Sequence, residues 1–259
     1  MKYIQSYDQK WTWFVSCILL GIYIFPVSAQ EKKPTDLFSD IERKAIENVV
    51  RDYIMKNPEQ IINSLQRMRQ QEESKKQATI KIRLKELRSE LINDPDTPVG
   101  GNKKGSINIV EFFDYRCGYC KRVLSDLLKL INSDNDIRIV FKEFPILGPQ
   151  SKIASKAGLA AWILDESKYQ KFHNKMMRAK GAITKPRIFK LAADSGYNVS
   201  DLQKTMETPR IDSLLEKTSN IAKALDINGT PAFVIGDQII RGAVDYKTLK
   251  NIISEMRKS

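Results

Sequence analysis

The sequence is poor in the side chains that bind metals or form disulfides. Its 259 residues include one histidine, His173, and three cysteines, Cys17, Cys117 and Cys120. A structural zinc ion takes four cysteine or histidine ligands, and no second Cys-x-x-Cys pair accompanies Cys117 and Cys120. The ligand shortage argues against zinc, and we expect neither a metal nor any other cofactor.

Long apolar runs are also scarce, and the clearest one lies at the N-terminus. It spans Trp11–Val27, with Lys2 and Lys10 before it and the small residues Val27-Ser28-Ala29 at its end. This pattern predicts a cleaved signal peptide over residues 1–29, and hence an exported protein. The alternative is an uncleaved membrane anchor, because a short membrane span needs about 17 residues.

Cleavage of the signal peptide would change the cysteine count. Cys17 would be removed, leaving Cys117 and Cys120 as the cysteines of the exported chain. An exported protein with one Cys-x-x-Cys pair and no structural disulfide indicates a redox-active centre.

Acidic residues are outnumbered by basic ones, and the formal net charge is +12. Such a charge is compatible with binding to nucleic acid or to an anionic membrane surface. The basic residues are interleaved with glutamates along predicted helices, and an exported protein seldom meets nucleic acid. We therefore expect no nucleic-acid partner, while weak membrane association stays open.

The cysteine pair lies in the segment IVEFFDYRCGYCKRVLSDLLKLI. Residues Ile109–Phe113 are typical of a buried strand, and the apolar residues after Cys120 recur at helical spacing. Cys117 would therefore lie at a helix N-terminus, where backbone N–H groups and the helix dipole favour a thiolate. Cys120, about one turn further, would be close enough to resolve a mixed disulfide.

Residues 30–93 are predicted to form an N-terminal helical extension with two apolar seams. The first seam is Ile61, Leu65 and Met68; the second is Ile80, Leu84, Leu87 and Leu91. Between them, Arg69–Gln77 has no strongly apolar residue and indicates either an exposed helix or a flexible connector. We expect residues 36–92 to pack on a sister chain and form a homo-oligomer. The alternative is that these helices fold back on their own domain.

Residues 94–259 are predicted to form an α/β domain. In chain order the elements are strand Ile107–Phe113, helix Cys117–Ser133, strand Ile137–Phe144, helices within about 150–226, hairpin strands Ala232–Ile235 and Gln238–Arg241, and helix Asp245–Arg257. The first strand, helix and second strand form a βαβ unit with parallel strands. The order predicts a thioredoxin fold with an inserted all-helical domain, preceded by the N-terminal helical extension.

Four segments in this order give a family resemblance: EFFDYRCGYCKR, VFKEFPILGP, GTPAFVI, and the closing GAVDYKTLKNII. The chain resembles the DsbA-like thiol:disulfide oxidoreductases of the Gram-negative periplasm, and within them the ScsC-type branch with an N-terminal helical extension. The resemblance implies that Cys117 is the nucleophile and Cys120 the resolving cysteine. It also implies that Pro231 is a cis-proline and that Thr230 and Pro231 hold the substrate strand.

The resemblance suggests supporting residues as well. Glu111 lies in a buried strand and needs a partner or a proton. Lys142, in the neighbouring strand, is the expected partner, and family members have a similar buried acid–lysine pair. Glu111 would then either relay a proton for Cys120 or form a purely structural ion pair. His173 is predicted to lie at the surface.

Two tyrosines flank the cysteine pair. Tyr115 and Tyr119 could offer unfolded substrates an apolar rim, or Tyr115 could be buried in the fold. Family members that are strong oxidants usually carry Pro-His between the cysteines, whereas this chain has Gly118-Tyr119. That dipeptide, together with Thr230, resembles the disulfide-isomerase members.

We therefore expect a periplasmic disulfide isomerase or reductase that acts on unfolded or misoxidised exported proteins and exchanges electrons with a membrane redox partner. Net dithiol oxidation is one alternative. A surface-associated binding protein or holdase on a thioredoxin scaffold is another.

Overall fold

The computed structural model describes residues 38–258, so the predicted signal peptide lies outside the described residues. The chain divides into two compact units at Leu65/Gln66, and one long helix crosses that boundary. Within residues 38–258, none of the helices combines the length and apolarity that crossing a bilayer requires.

Helix α1 (Asp40–Lys56) begins at a capping box, in which Ser39 accepts from the backbone N–H of Glu42 and Glu42 accepts from that of Ser39. Helix α2 (Pro58–Glu86) starts at a proline, whose missing N–H needs no partner in the first turn. The segment Arg69–Gln77, which has no strongly apolar residue, is helical throughout, so α2 is continuous between its two apolar seams.

The second unit contains a five-stranded sheet. Its other elements, in chain order, are α3 (Arg88–Ile92), β1 (Val99–Gly101), β2 (Ile107–Phe113), α4 (Gly118–Ser133), β3 (Ile137–Glu143), α5 (Pro149–Leu164), α6 (Glu166–Arg178), α7 (Lys185–Ala193), α8 (Val199–Met206), α9 (Pro209–Ala224), β4 (Ala232–Ile235), β5 (Gln238–Arg241) and α10 (Tyr246–Met256). The strand order is β1-β3-β2-β4-β5. Strands β2 and β3 are parallel and the other neighbours antiparallel. The predicted thioredoxin-like fold with inserted helices is therefore confirmed.

Different elements pack on the two faces of the sheet. Ile109 and Phe113 of β2 belong to the larger core, which also contains buried residues of α4, of the inserted helices and of α10. Val110 and Phe112 point to the opposite face, as the period of two in a strand requires. Both faces of β2 are therefore buried.

The second apolar seam of the extension covers that opposite face. Ile80 and Leu84 of α2 and Leu91 of α3 are buried in one cluster with Val110 and Phe112. Burial of each such side chain contributes about 1.5–3 kcal/mol. The expectation that a sister chain buries this seam is wrong, because the seam packs on the chain's own sheet.

The first seam is exposed. Ile61, Leu65 and Met68 are each close to half exposed, and α1 exposes further apolar residues. These other residues are Ile41, Ile46, Val49, Val50, Tyr53, Ile54 and Met55. The exposed apolar residues of α1 and the first half of α2 are called the extension face below.

Candidate active site

A short loop connects β2 to α4, and a buried carboxylate holds it. Asp114 accepts hydrogen bonds from the backbone N–H groups of Arg116 (2.8 Å) and Leu147 (3.1 Å). Its own carbonyl accepts from the N–H of Cys117 (2.9 Å). These contacts fix the loop so that Cys117 becomes the N-cap of α4. Asp114 is not among the residues predicted from the sequence, although its place directly after a buried strand is a signal for it.

The Cys117 sulfur lies among groups that favour a thiolate. The N–H of Cys120 donates to the sulfur over 3.5 Å, which favours the thiolate. In its protonated form the Cys117 thiol donates to the carbonyl oxygen of Thr230 (3.2 Å). Hydrogen bonds from Cys120, from Thr230 and from the backbone N–H of Tyr119 lower the pKa of Cys117 to about 5, against the opposing effect of burial. Cys117 is thus a thiolate at neutral pH.

Cys120 has the opposite character. Its side chain is fully buried, whereas a small part of Cys117 reaches solvent. The hydrogen bond to Cys117, burial and the charge of Glu111 raise the pKa of Cys120 far above its usual value. The two cysteines are not joined by a disulfide in this structure, so the pair consists of an activated sulfur, Cys117, and a buried, protonated sulfur, Cys120.

The flanking cations do not contact the Cys117 sulfur. The Arg116 guanidinium donates to the carbonyl of Leu147, and the Lys121 ammonium donates to that of Ala179 (2.6 Å). The low pKa of Cys117 therefore arises from hydrogen bonds. Tyr119 is 57% exposed beside the cysteines, with the Arg122 guanidinium 4.7 Å from its ring centre, whereas Tyr115 is fully buried.

Thr230 and Pro231 lie directly before β4 and next to the cysteine pair. The Thr230–Pro231 peptide bond is cis, and Pro231 accepts from the N–H of Gly242 (2.9 Å). Contact between Thr230 and Cys117 joins two segments 113 residues apart in sequence.

The expected pair of Glu111 and Lys142 does not form. Glu111 lies opposite Phe141 in the β2–β3 ladder, and Lys142 lies opposite Phe112. The two side chains therefore point to opposite faces of the sheet. Lys142 donates to the carbonyl of Glu90 and the hydroxyl of Thr97, both at 2.8 Å, while Oε1 of Glu111 has no hydrogen-bond partner among the described residues.

Glu111 lies on the cysteine side of the sheet. Burial, and secondly the charge of Cys117, raise its pKa from 4.5 to about 8. A carboxyl group with this pKa exchanges a proton near neutral pH, and its charge is felt by Cys120. Glu111 without Lys142 thus retains the properties needed to relay a proton for Cys120.

The prediction that His173 lies at the surface is wrong. The ring is fully buried on α6, with Nδ1 3.1 Å from the Tyr115 hydroxyl and 3.3 Å from that of Tyr169. Burial lowers the pKa of His173 to about 3, so the imidazole is neutral at physiological pH. His173 therefore links an inserted helix to the loop that carries Cys117.

A buried acid near this loop was also missed. Glu143, the last residue of β3, is buried, and desolvation raises its pKa well above the usual range. It lies against Gly158 of α5: a Cβ there would be 2.2 Å from Glu143 Oε1 and 2.9 Å from the Tyr115 hydroxyl. Only glycine permits this approach. The charged dipeptide Lys142-Glu143 at the end of an apolar strand was the available signal.

Replacing Glu111 by glutamine is expected to stabilise the protein at alkaline pH. Because the folded-state pKa is about 8 and the unfolded value 4.5, the native protein binds the extra proton between these pH values. Glu111 therefore lowers the free energy of unfolding by about 1.4 kcal/mol per pH unit across this window. The measurement is urea unfolding of the oxidised wild type and Glu111→Gln at pH 5 and pH 8.

The stability difference between the two proteins should grow from pH 5 to pH 8, and release of mixed disulfides by Cys120 should slow in the variant. An equal difference at both pH values would contradict the raised pKa, and an unchanged release rate would rule out the proton relay.

Family comparisons agree with this geometry. A model described as the DSBA-like thioredoxin domain matches residues 108–254. A second model, described as the copper resistance protein ScsC N-terminal domain, matches residues 42–75. The two matches together span most of α1, much of α2, the cysteine pair and most of α10.

Similar proteins include both curated sequences and solved structures. Disulfide bond formation protein D of Bacillus subtilis is 26% identical over an alignment of 171 residues, and the match covers 62% of this chain and 77% of that protein. A thioredoxin-like oxidoreductase from Silicibacter pomeroyi is 36% identical, with a TM-score of 0.64 over 66% of this chain and 98% of its own. A linker-deleted Proteus mirabilis ScsC variant is 29% identical, with a TM-score of 0.67. The match covers 86% of this chain and 99% of that one. The chain belongs to the DsbA-like thioredoxin-domain family of thiol:disulfide oxidoreductases, in the branch with a ScsC-type N-terminal segment.

Proposed function

We propose that this protein isomerises or reduces wrong disulfides in exported polypeptides, with Cys117 as nucleophile and Cys120 as resolving cysteine. The observation that carries the proposal is the contrast between the two sulfurs. Cys117 has a pKa of about 5 and reaches solvent, whereas Cys120 is buried and protonated. The predicted signal peptide supports a periplasmic location.

The reaction begins when the Cys117 thiolate attacks one sulfur of a substrate disulfide. A Cys117–substrate disulfide forms, and the other substrate sulfur leaves as a thiolate. Attack by a different substrate thiolate then makes a new substrate disulfide and releases Cys117, without net electron transfer. Alternatively, Cys120 loses its proton and attacks Cys117, so that the pair is oxidised and the substrate leaves as a dithiol. A membrane redox partner must then reduce the pair.

Thr230 and Pro231 are proposed to hold the substrate strand during this exchange. The Thr230 carbonyl lies 3.2 Å from the Cys117 sulfur, so a polypeptide joined to Cys117 passes beside this loop. Exposed Tyr119 is proposed to supply apolar contact at the rim.

The extension is proposed to form a homo-oligomer through the extension face. That face is apolar and exposed in the single chain, and it falls largely within residues 42–75, which match the ScsC N-terminal domain. Burial of this apolar surface against a second copy is favourable. An oligomer places several cysteine pairs around one misoxidised substrate, which suits isomerisation.

Net oxidation is the second candidate, and the low pKa of Cys117 favours it. A stabilised thiolate stabilises the reduced form and makes the disulfide more oxidising. The two activities differ in what they need: oxidation requires one cysteine pair, whereas isomerisation as proposed here requires the oligomer.

Charged substitutions on the extension face test this proposal in the full chain. Val50→Glu with Ile61→Glu is expected to give a monomer that still oxidises a dithiol peptide but isomerises a scrambled multi-disulfide protein at least several-fold more slowly. The matched control is Asn48→Glu with Gln60→Glu, which places the same charges at exposed polar positions. Mass in solution and both activities are measured.

Unchanged mass, or isomerisation that is unchanged in a monomer, would contradict the proposal. Deletion of residues up to 93 is a poorer test, because it would also remove Ile80, Leu84 and Leu91 from the sheet. A deletion that ends at Leu65 keeps that cover.

A further inference from the structure

A groove lies beside the cysteine pair, between α2 and the loop that carries Thr230. Its volume is about 510 Å³, and one wall consists of Glu73, Lys76 and Gln77 of α2. The opposite side includes Thr230 and Pro231. All of these residues belong to the second compact unit.

We propose that the middle turns of α2 form a wall of the polypeptide-binding groove, so that the extension selects polypeptide substrates over small disulfides. This inference rests on the proposed function. It assigns to α2 a role beyond covering the sheet and presenting the extension face.

Thr230 connects the groove to the nucleophile. Thr230 lines it, and the Thr230 carbonyl oxygen is 3.2 Å from the Cys117 sulfur. A substrate cysteine bonded to Cys117 therefore has its neighbouring residues at the mouth of the groove. A small disulfide such as oxidised glutathione has fewer atoms beyond its sulfur than a polypeptide, so we expect it to depend less on α2.

An ion pair and two buried side chains connect this wall to the rest of the second unit. The Lys76 ammonium lies 2.6 Å from Asp226 Oδ2, and Arg241 approaches the same oxygen at 3.7 Å. Ile80 and Leu84, four and eight residues after Lys76, lie on the same side of the helix and are buried against the sheet. The burial of Ile80 and Leu84 therefore anchors the middle of α2, and the partly exposed ion pair of Lys76 adds a weaker contact.

The groove has the chemistry of a site for an extended polypeptide. At Gly229 and Gly242 an added Cβ would meet no atom within 4 Å, so there is free space beside the backbone at these two positions of the groove. The two cations, Lys76 and Arg241, are balanced by the carboxylates of Asp226 and Glu73. The lining therefore does not favour substrate segments of one charge sign over the other. Polar lining groups with free space beside them can accommodate the main chain of an extended peptide and form hydrogen bonds with it.

The test compares a ten-residue peptide joined to glutathione by a disulfide with oxidised glutathione alone. In full-length Lys76→Glu, the ratio of kcat/KM for the peptide to that for glutathione is expected to fall at least three-fold, through a higher peptide KM. Lys75→Glu is the matched control, because Lys75 is exposed on the same helix and does not line the groove. Its ratio should equal that of the wild type.

A second variant, Gln77→Trp, narrows the groove without removing the ion pair and should also raise the peptide KM. Circular dichroism and thermal unfolding confirm that the variants fold. An unchanged ratio in both Lys76→Glu and Gln77→Trp, or an equal loss in Lys75→Glu, would overturn the inference. A wild-type protein that reacts with neither substrate would instead refute the proposed function.

Discussion

Replacing Cys117 by serine is expected to abolish disulfide exchange, while replacing Cys120 by serine should trap the substrate. Loss of the sulfur nucleophile removes the first step, and loss of a catalytic nucleophile lowers rates on the order of 10³-fold or more. In Cys120→Ser, the Cys117 thiolate still attacks, but no internal thiol releases the mixed disulfide. This asymmetry follows from the low pKa of Cys117 and the burial of Cys120.

The measurement is mass spectrometry of each variant after incubation with a disulfide-bonded peptide, together with turnover. Cys120→Ser should carry the peptide on Cys117, and Cys117→Ser should carry none. The double serine variant also separates the enzyme from a binding protein or holdase, since a holdase would suppress aggregation unchanged. Peptide attached to Cys120 in Cys117→Ser would contradict the assigned roles.

Acid is expected to destabilise the protein through its single histidine. His173 has a folded-state pKa of about 3 and an unfolded value of 6.5. Between these values the unfolded chain binds the extra proton, so the contribution of His173 is complete above pH 6.5 and is lost as the pH falls toward 3. The slope is about 1.4 kcal/mol per pH unit, and the total is roughly 4–5 kcal/mol.

His173→Phe isolates this effect, because phenylalanine fills the site and does not titrate. The variant should be about 1–3 kcal/mol less stable than wild type at pH 7, since two buried tyrosine hydroxyls lose a partner. The stability difference should shrink by about 1.4 kcal/mol per unit as the pH is lowered below 6.5. Urea unfolding of the oxidised proteins from pH 7 to pH 5 measures it; a constant difference would contradict a buried neutral imidazole.

Much of the second unit could be predicted from local pattern. The buried strand Ile107–Phe113 is followed by helical apolar spacing, and Gly236-Asp237 lies between two short β-rich segments. These signals are strong because each element buries one continuous set of side chains. The three-residue β1 was missed, since Val99–Gly101 is too short and glycine-rich to show a strand pattern.

The errors at the site have a common cause. Strands β2 and β3 are buried on both faces, so apolar residues do not alternate with polar ones and the sequence does not reveal which face a side chain takes. Glu111 and Lys142 were therefore paired although they point in opposite directions. For His173, the spacing from Tyr169 and Met176 on an apolar helix face was the signal that predicts burial.

The second seam shows a limit of another kind. The spacing of Ile80, Leu84 and Leu91 predicts an apolar face, but not the surface that will cover it. That surface is assembled from β2, β3, β4 and α9, which lie far along the chain. Only the three-dimensional structure shows that α2 and α3 bury the face of the sheet that carries Val110 and Phe112.

The most direct test of this account is the ultraviolet absorbance of thiolate in the reduced wild-type protein as a function of pH. The structure predicts one thiolate with a midpoint near pH 5, from Cys117, and no second thiolate below about pH 9. An ordinary cysteine has a pKa of roughly 8.5. A single midpoint near that pH would show that Cys117 is not activated. Two equal transitions would show that the sulfurs are not differentiated, and either result would contradict the assignment of nucleophile and resolving cysteine.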